Sequence, residues 1–142
     1  MRRDYFSIDF RGGSDGDSPT MVIDYDGPSG ELRDGLTTAS GTPLDASDID
    51  VAFRHQRDTE QGVLSLTDRL TGAFIFEVSV PIDGVDGLVE SASRADGDGE
   101  YAVRLTDGDG ESMTYEKRTL LVYDHEGELL RNRSLIPGSV EL

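Results

Sequence analysis

Along most of this chain apolar and polar side chains take turns, and the alternating runs are short and separated by glycine-rich breaks. A period of two is the mark of a strand buried on one face. Residues 4–11 place Phe6, Ile8 and Phe10 opposite Ser7 and Asp9. Residues 20–26 place Met21, Ile23 and Tyr25 opposite Asp24 and Asp26, and Pro28 closes the run. Residues 49–56 set Ile49, Val51, Phe53 and His55 against Asp50, Ala52, Arg54 and Gln56. In the centre, 62–69 and 73–80 flank Leu70-Thr71-Gly72, which has the spacing of a hairpin loop. There Phe74, Phe76, Val78 and Val80 are expected on one face and Ile75 on the other. Residues 100–106 and 112–123 bracket Asp107-Gly108-Asp109-Gly110, a second hairpin, and a last strand is expected at about 128–135. Asp-Gly occurs nine times in all, and both residues tolerate the positive φ of tight turns.

One stretch has the helical period instead. Val85, Leu88, Val89 and Ala92 fall at i, i+3, i+4 and i+7, with Asp83 as a cap and Gly97 as a stop. Residues 30–36 predict a helical turn through Leu32 and Leu36, and Thr37–Ser47 reads as a polar linker. The expected fold is a β-dominated α+β domain spanning 1–142. It is an antiparallel curved sheet or sandwich of about eight or nine strands, with one helix near residues 84–95.

Composition adds a setting. The chain has 29 acidic against 13 basic residues, a net charge of −16. Asp outnumbers Glu nineteen to ten, and Lys117 is the single lysine. The acids are spread evenly: residues 1–47 hold nine, 48–95 nine and 96–142 eleven. Like charges at this density repel and destabilise a compact state. Strong salt removes that penalty, since the Debye length falls to about 3 Å at 1 M. Short carboxylates and a lysine-poor surface are therefore expected of a protein folded in concentrated salt, with solvent cations such as potassium about it. An acidic surface without a basic patch argues against nucleic acid as a partner. No apolar run approaches the roughly 20 residues that span a bilayer. The first residues lack the apolar core of a secretion signal, so a cytoplasmic location without membrane contact is expected. The absence of cysteine excludes thiol chemistry and cysteine-held metals.

Candidate chemistry is sparse, and no catalytic residue is assigned. Gly12-Gly13-Ser14-Asp15-Gly16 has the spacing of a nucleophile elbow, but a strand rather than a helix is expected after it. His55 and His125 are the two histidines, the usual general bases. His55 is expected on the rim of the core and His125 in a turn. Asp96, Asp98, Asp107 and Asp109 are weak cation candidates. Neither of their loops has the glycine at position six and the acid at position twelve that a calcium-binding EF-hand needs. No specific metal site and no cofactor are expected.

A resemblance runs along nearly the whole chain. Met1-Arg2-Arg3-Asp4-Tyr5-Phe6, Val22-Ile23-Asp24-Tyr25-Asp26-Gly27-Pro28 and Asp48-Ile49-Asp50-Val51-Ala52-Phe53-Arg54 carry part of it. Leu121-Val122-Tyr123-Asp124, Leu129-Leu130-Arg131 and Ser134-Leu135-Ile136-Pro137 carry the rest. The sequence resembles an uncharacterised family of small acidic haloarchaeal proteins. That resemblance implies a haloarchaeal source and brings no activity, cofactor or site residue with it.

Two functions stay in view. The first is a non-enzymatic binding domain with a protein partner, motivated by Tyr5, Tyr25, Tyr101, Tyr115 and Tyr123 on predicted strands, with Ser134–Leu142 as a docking strand. The alternative is a small hydrolase using His55 or His125 with a loop carboxylate.

Overall fold

The computed structural model describes residues 3–12, 18–28, 30–94, 100–108 and 110–136. Among the described residues eight strands form two four-stranded sheets around one core. After a 3-10 turn at Arg3–Tyr5, β1 (Phe6–Arg11) and β2 (Thr20–Tyr25) pair antiparallel. The short helix α1 (Glu31–Gly35) leads to β3 (Ile49–His55), β4 (Gln61–Asp68) and β5 (Phe74–Pro81), an antiparallel meander in the second sheet. Helix α2 (Ile82–Arg94) returns the chain to the first sheet, where β6 (Tyr101–Thr106) lies parallel to β2 and hairpins into β7 (Ser112–Lys117). The chain then crosses once more, and β8 (Leu121–Tyr123) lies parallel to β3. The strand orders are β1-β2-β6-β7 and β5-β4-β3-β8.

The predicted α+β architecture and its strand count hold, with each sheet mixed rather than purely antiparallel. Both parallel pairs come from crossovers between sheets, the connection that parallel neighbours require. The predicted run 112–123 breaks at Arg118-Thr119-Leu120, where the chain changes sheets. The predicted ninth strand is reduced to bridges, Tyr123 with Leu129 and Leu120 with Leu135, around a 3-10 turn at Arg131–Arg133.

The alternating faces meet in the middle. Met21, Ile23, Tyr101, Val103 and Leu105 from the first sheet, and Ile49, Val51, Phe53, Leu64 and Leu66 from the second, are all buried. Phe6 and Phe76 stack across the two layers at 4.3 Å. Helix α2 buries the predicted stripe Val85, Leu88, Val89 and Ala92, and its Gly84 lies against the Phe10 ring, where a Cβ would collide. The helix starts at Ile82, so Asp83 sits in its first turn rather than capping it. There its charge still complements the helix dipole. The predicted polar linker is pinned: Leu44 is buried, and its N–H donates to Leu36 O at 2.9 Å.

The single lysine is internal. Lys117 at the end of β7 is 8% exposed, and its Nζ donates to Ala46 O and Ile49 O, both at 2.6 Å. It ties the first sheet to the entry of β3. Burial holds its pKa below the usual lysine value; Arg69 adds to the shift, and Asp50 and Asp48 oppose it.

Candidate functional site

Side chains alternate across a sheet, so the outer face of the second sheet is built from Ala52 and Arg54 on β3, Val63, Ser65 and Thr67 on β4, Glu77 on β5 and Tyr123 on β8. The register aligns Glu77, Ser65, Ala52 and Leu121 in one row, and Val63, Arg54 and Tyr123 in the next. All of these except Leu121, together with Phe74, line a groove of about 450 Å³. Its floor is small or apolar. The rings of Phe74 and Tyr123 stand at opposite corners, one on each edge strand.

A β-bulge makes the groove. The pairing of β4 with β5 slips between Leu66 and Thr67: Leu66 faces Phe76, but Thr67 faces Phe74. Ile75 is the extra residue, and it joins Phe76 in the core at 6% and 2% exposure. Phe74 is thereby turned to the outer face, 65% exposed. This corrects the expectation that Phe74 shares a face with Phe76 while Ile75 lies opposite; a bulge inverts that parity at the inserted residue. One of its charged side chains is held in place. Arg54 Nη2 donates to His125 O at 2.8 Å. At one margin Arg69 pairs with Asp50 at 2.5 Å, which raises the Arg69 pKa further.

The five tyrosines divide. Tyr25, Tyr101 and Tyr115 are buried. The Tyr25 hydroxyl donates to Pro28 O at 2.9 Å and that of Tyr101 to Thr119 O at 2.7 Å, and burial raises both phenol pKa values. Tyr5 packs edge-on against Tyr25 at 6.1 Å. Tyr123 reaches the groove.

The histidines come closer together than their separation in the chain implies. His55 ends β3, and its ring meets Phe53 edge-on at 5.4 Å. Its Nε2 is buried and has no hydrogen-bond partner among the described residues. Burial, then Arg133 and His125, hold its pKa below the ordinary histidine value, against Asp86 and Asp124. His125 lies in the exposed turn after β8, 3.8 Å from Glu126 Oε1. The Asp124 carboxylate accepts the N–H groups of Glu126 and Glu128, both at 2.9 Å. Those bonds depress its pKa and commit it to shaping the turn. Neither histidine lines the groove.

Asp107, one of the four cation candidates, accepts the Glu111 N–H at 3.1 Å through Oδ1 and has Arg33 Nη2 3.8 Å from Oδ2. Asp96, Asp98, Asp109 and the Ser14 loop lie outside the described residues, as does the tail beyond Ile136. Among the described residues no group of three or more His, Asp or Glu side chains is arranged to hold a metal ion, and no helix is long and apolar enough to cross a membrane.

Alternation did not reveal the groove, because it marks the buried face of a strand and says nothing of how the outward positions are covered. The available signal was Ala52, Val63 and Leu121, apolar residues at outward positions in a very acidic chain. Compared with known proteins, residues 1–142 match a family of unknown function, DUF5793. No curated protein and no solved structure matches.

Proposed function

The chain belongs to DUF5793, a family of unknown function, and we propose that it is a non-enzymatic binding domain that docks a protein segment on the outer face of its second sheet. The observation that carries this reading is the groove itself, with Phe74 65% exposed at one corner and Tyr123 at the other. An exposed aromatic ring beside a floor of small and apolar side chains gives a partner apolar area to cover. The occupant that fits is a protein segment presenting apolar side chains between the two rings. The setting is the concentrated salt of a haloarchaeal cytoplasm, supported by the charge of −16. The burial of Lys117 supports it further, because it leaves arginine as the basic residue of the described surface.

The hydrolase alternative has weaker support. His55 presents a buried Nε2 without a carboxylate partner, and His125 is exposed on a turn.

The test is a matched pair of outward alanines. Ala52→Arg fills the groove, and Ala102→Arg adds the same side chain to the outer face of the first sheet. Both variants should melt within a few degrees of the parent in molar KCl. A photoreactive residue at position 70, in the exposed loop that joins β4 to β5, should cross-link one protein reproducibly in the parent and in A102R but not in A52R. Equal cross-linking in all three proteins, or none in the parent, overturns the docking reading.

A further inference from the structure

We propose that His55 is a proton-operated latch that fixes segment 124–136 against β3 and α2, and with it the Tyr123 side of the groove. The latch stands apart from the docking reading. Only its effect on the groove depends on it.

The geometry is that of a joint between four elements. β3 and β8 run parallel with Arg54 beside Tyr123, so the next position along them sets His55 beside Asp124. The charged groups that face His55 are Asp86 on α2, Arg133 in the last 3-10 turn, and Asp124 and His125 in the turn after β8. Arg133 Nη2 lies 3.8 Å from Asp86 Oδ2, joining the last turn to the helix. Arg54, the neighbour of His55 on its own strand, holds the turn through the His125 carbonyl. The segment is also tied to β8 and the residue before it by Leu130 N–H to Val122 O at 2.8 Å, by Leu120 and Leu135 bonded both ways at 3.0 and 2.9 Å, and by Val122 N–H to Ser134 Oγ at 2.9 Å, with Leu135 buried in the core.

A neutral imidazole suits this place. A second proton would put charge where Nε2 has no acceptor and beside the Arg133 guanidinium. The two acids are poorly placed to compensate, since Asp124 accepts two backbone N–H groups and Asp86 is paired with Arg133. The sign follows from linkage. The folded value lies below the unfolded one, near 6.5, so the unfolded or loosened state takes the proton first. The stability supplied by neutral His55 is complete above the unfolded value. It is lost as pH falls from there toward the lower folded value.

Amide hydrogen exchange in molar KCl at pH 7.5 and pH 5.0, corrected for intrinsic rates, tests the latch. In the parent, protection at Leu130 and Leu135 should fall by about tenfold or more at the lower pH while β4 amides keep theirs. His55→Phe keeps an aromatic ring and removes the proton site, so protection should become independent of pH; His125→Gln should leave the dependence in place. Unchanged protection in the parent, or a pH dependence that survives in H55F, overturns the proposal. An NMR titration of the parent gives a reading independent of how H55F folds. The His55 midpoint should lie below 6.5 and coincide with the loss of protection, and a midpoint at or above 6.5 also overturns it.

Discussion

The outer faces of the two sheets share one grid and dress it differently. On the first sheet, outward rows read Asp9-Val22-Arg104-Thr114 and Arg11-Thr20-Ala102-Glu116. Val22 lies in register between Asp9 and Arg104 and is only 8% exposed. A long arginine stem covers an apolar neighbour while its charge stays in water. On the second sheet Ala52 lies between Ser65 and Leu121, and Val63 between Ser79 and Arg54. Arg54 reaches away to the His125 carbonyl instead, and the bulge adds a phenyl ring. The first face is finished by its own side chains, and the second is left open. An apolar residue at an outward position therefore matters only when its register neighbours fail to cover it.

The sharpest way to break this comparison is to cut on the two sides of the bulge. Phe76→Ala should cost about 3–5 kcal/mol, since it empties a core position stacked on Phe6. Phe74→Ala should stay within about 0.5 kcal/mol, as surface substitutions do. Thermal unfolding in molar KCl checks both, and equal losses would mean that the bulge does not separate an inner ring from an outer one. Next comes the strut between the sheets. Lys117→Met should cost about 2–3 kcal/mol, because the carbonyls of Ala46 and Ile49 lose a charged donor; an unaltered midpoint in urea would remove the strut from the account. The smallest effect concerns the covered face. Arg104→Ala uncovers Val22 and should cost under about 1 kcal/mol, with cross-linking at the groove unchanged, whereas a loss of cross-linking would place the docking surface on the wrong sheet.

Much of the fold was legible because periodicity reports burial directly. The α2 stripe, the hairpin at Leu70-Thr71-Gly72 and the antiparallel pairing of β6 with β7 stand where the pattern placed them. What was not legible depends on events that leave alternation intact. A change of sheet at Arg118-Thr119-Leu120 keeps Tyr115, Lys117, Leu120 and Val122 buried, so the run looks continuous although it serves two layers. Parallel pairing is hidden for a similar reason, since turn chemistry announces hairpins and says nothing of crossovers. The bulge at Ile75 inverts a strand's parity through one residue in an unbroken apolar run. The groove was less legible than the fold, because two of its makers, the bulge and the withdrawal of Arg54, are tertiary. The buried Nε2 of His55 was half visible: its strand position marked it as a rim residue, while the charged side chains around it, Asp86, Asp124 and Arg133, come from α2 and the C-terminal turns.

Lys117 has one more consequence. With a single ε-amine in the chain, and that amine sealed between two carbonyl oxygens, a brief pulse of an acylating reagent would spare residue 117 in intact molecules and tag it in those that have come apart. The mass of one peptide would then count the unfolded fraction in any chosen buffer, without any engineered label.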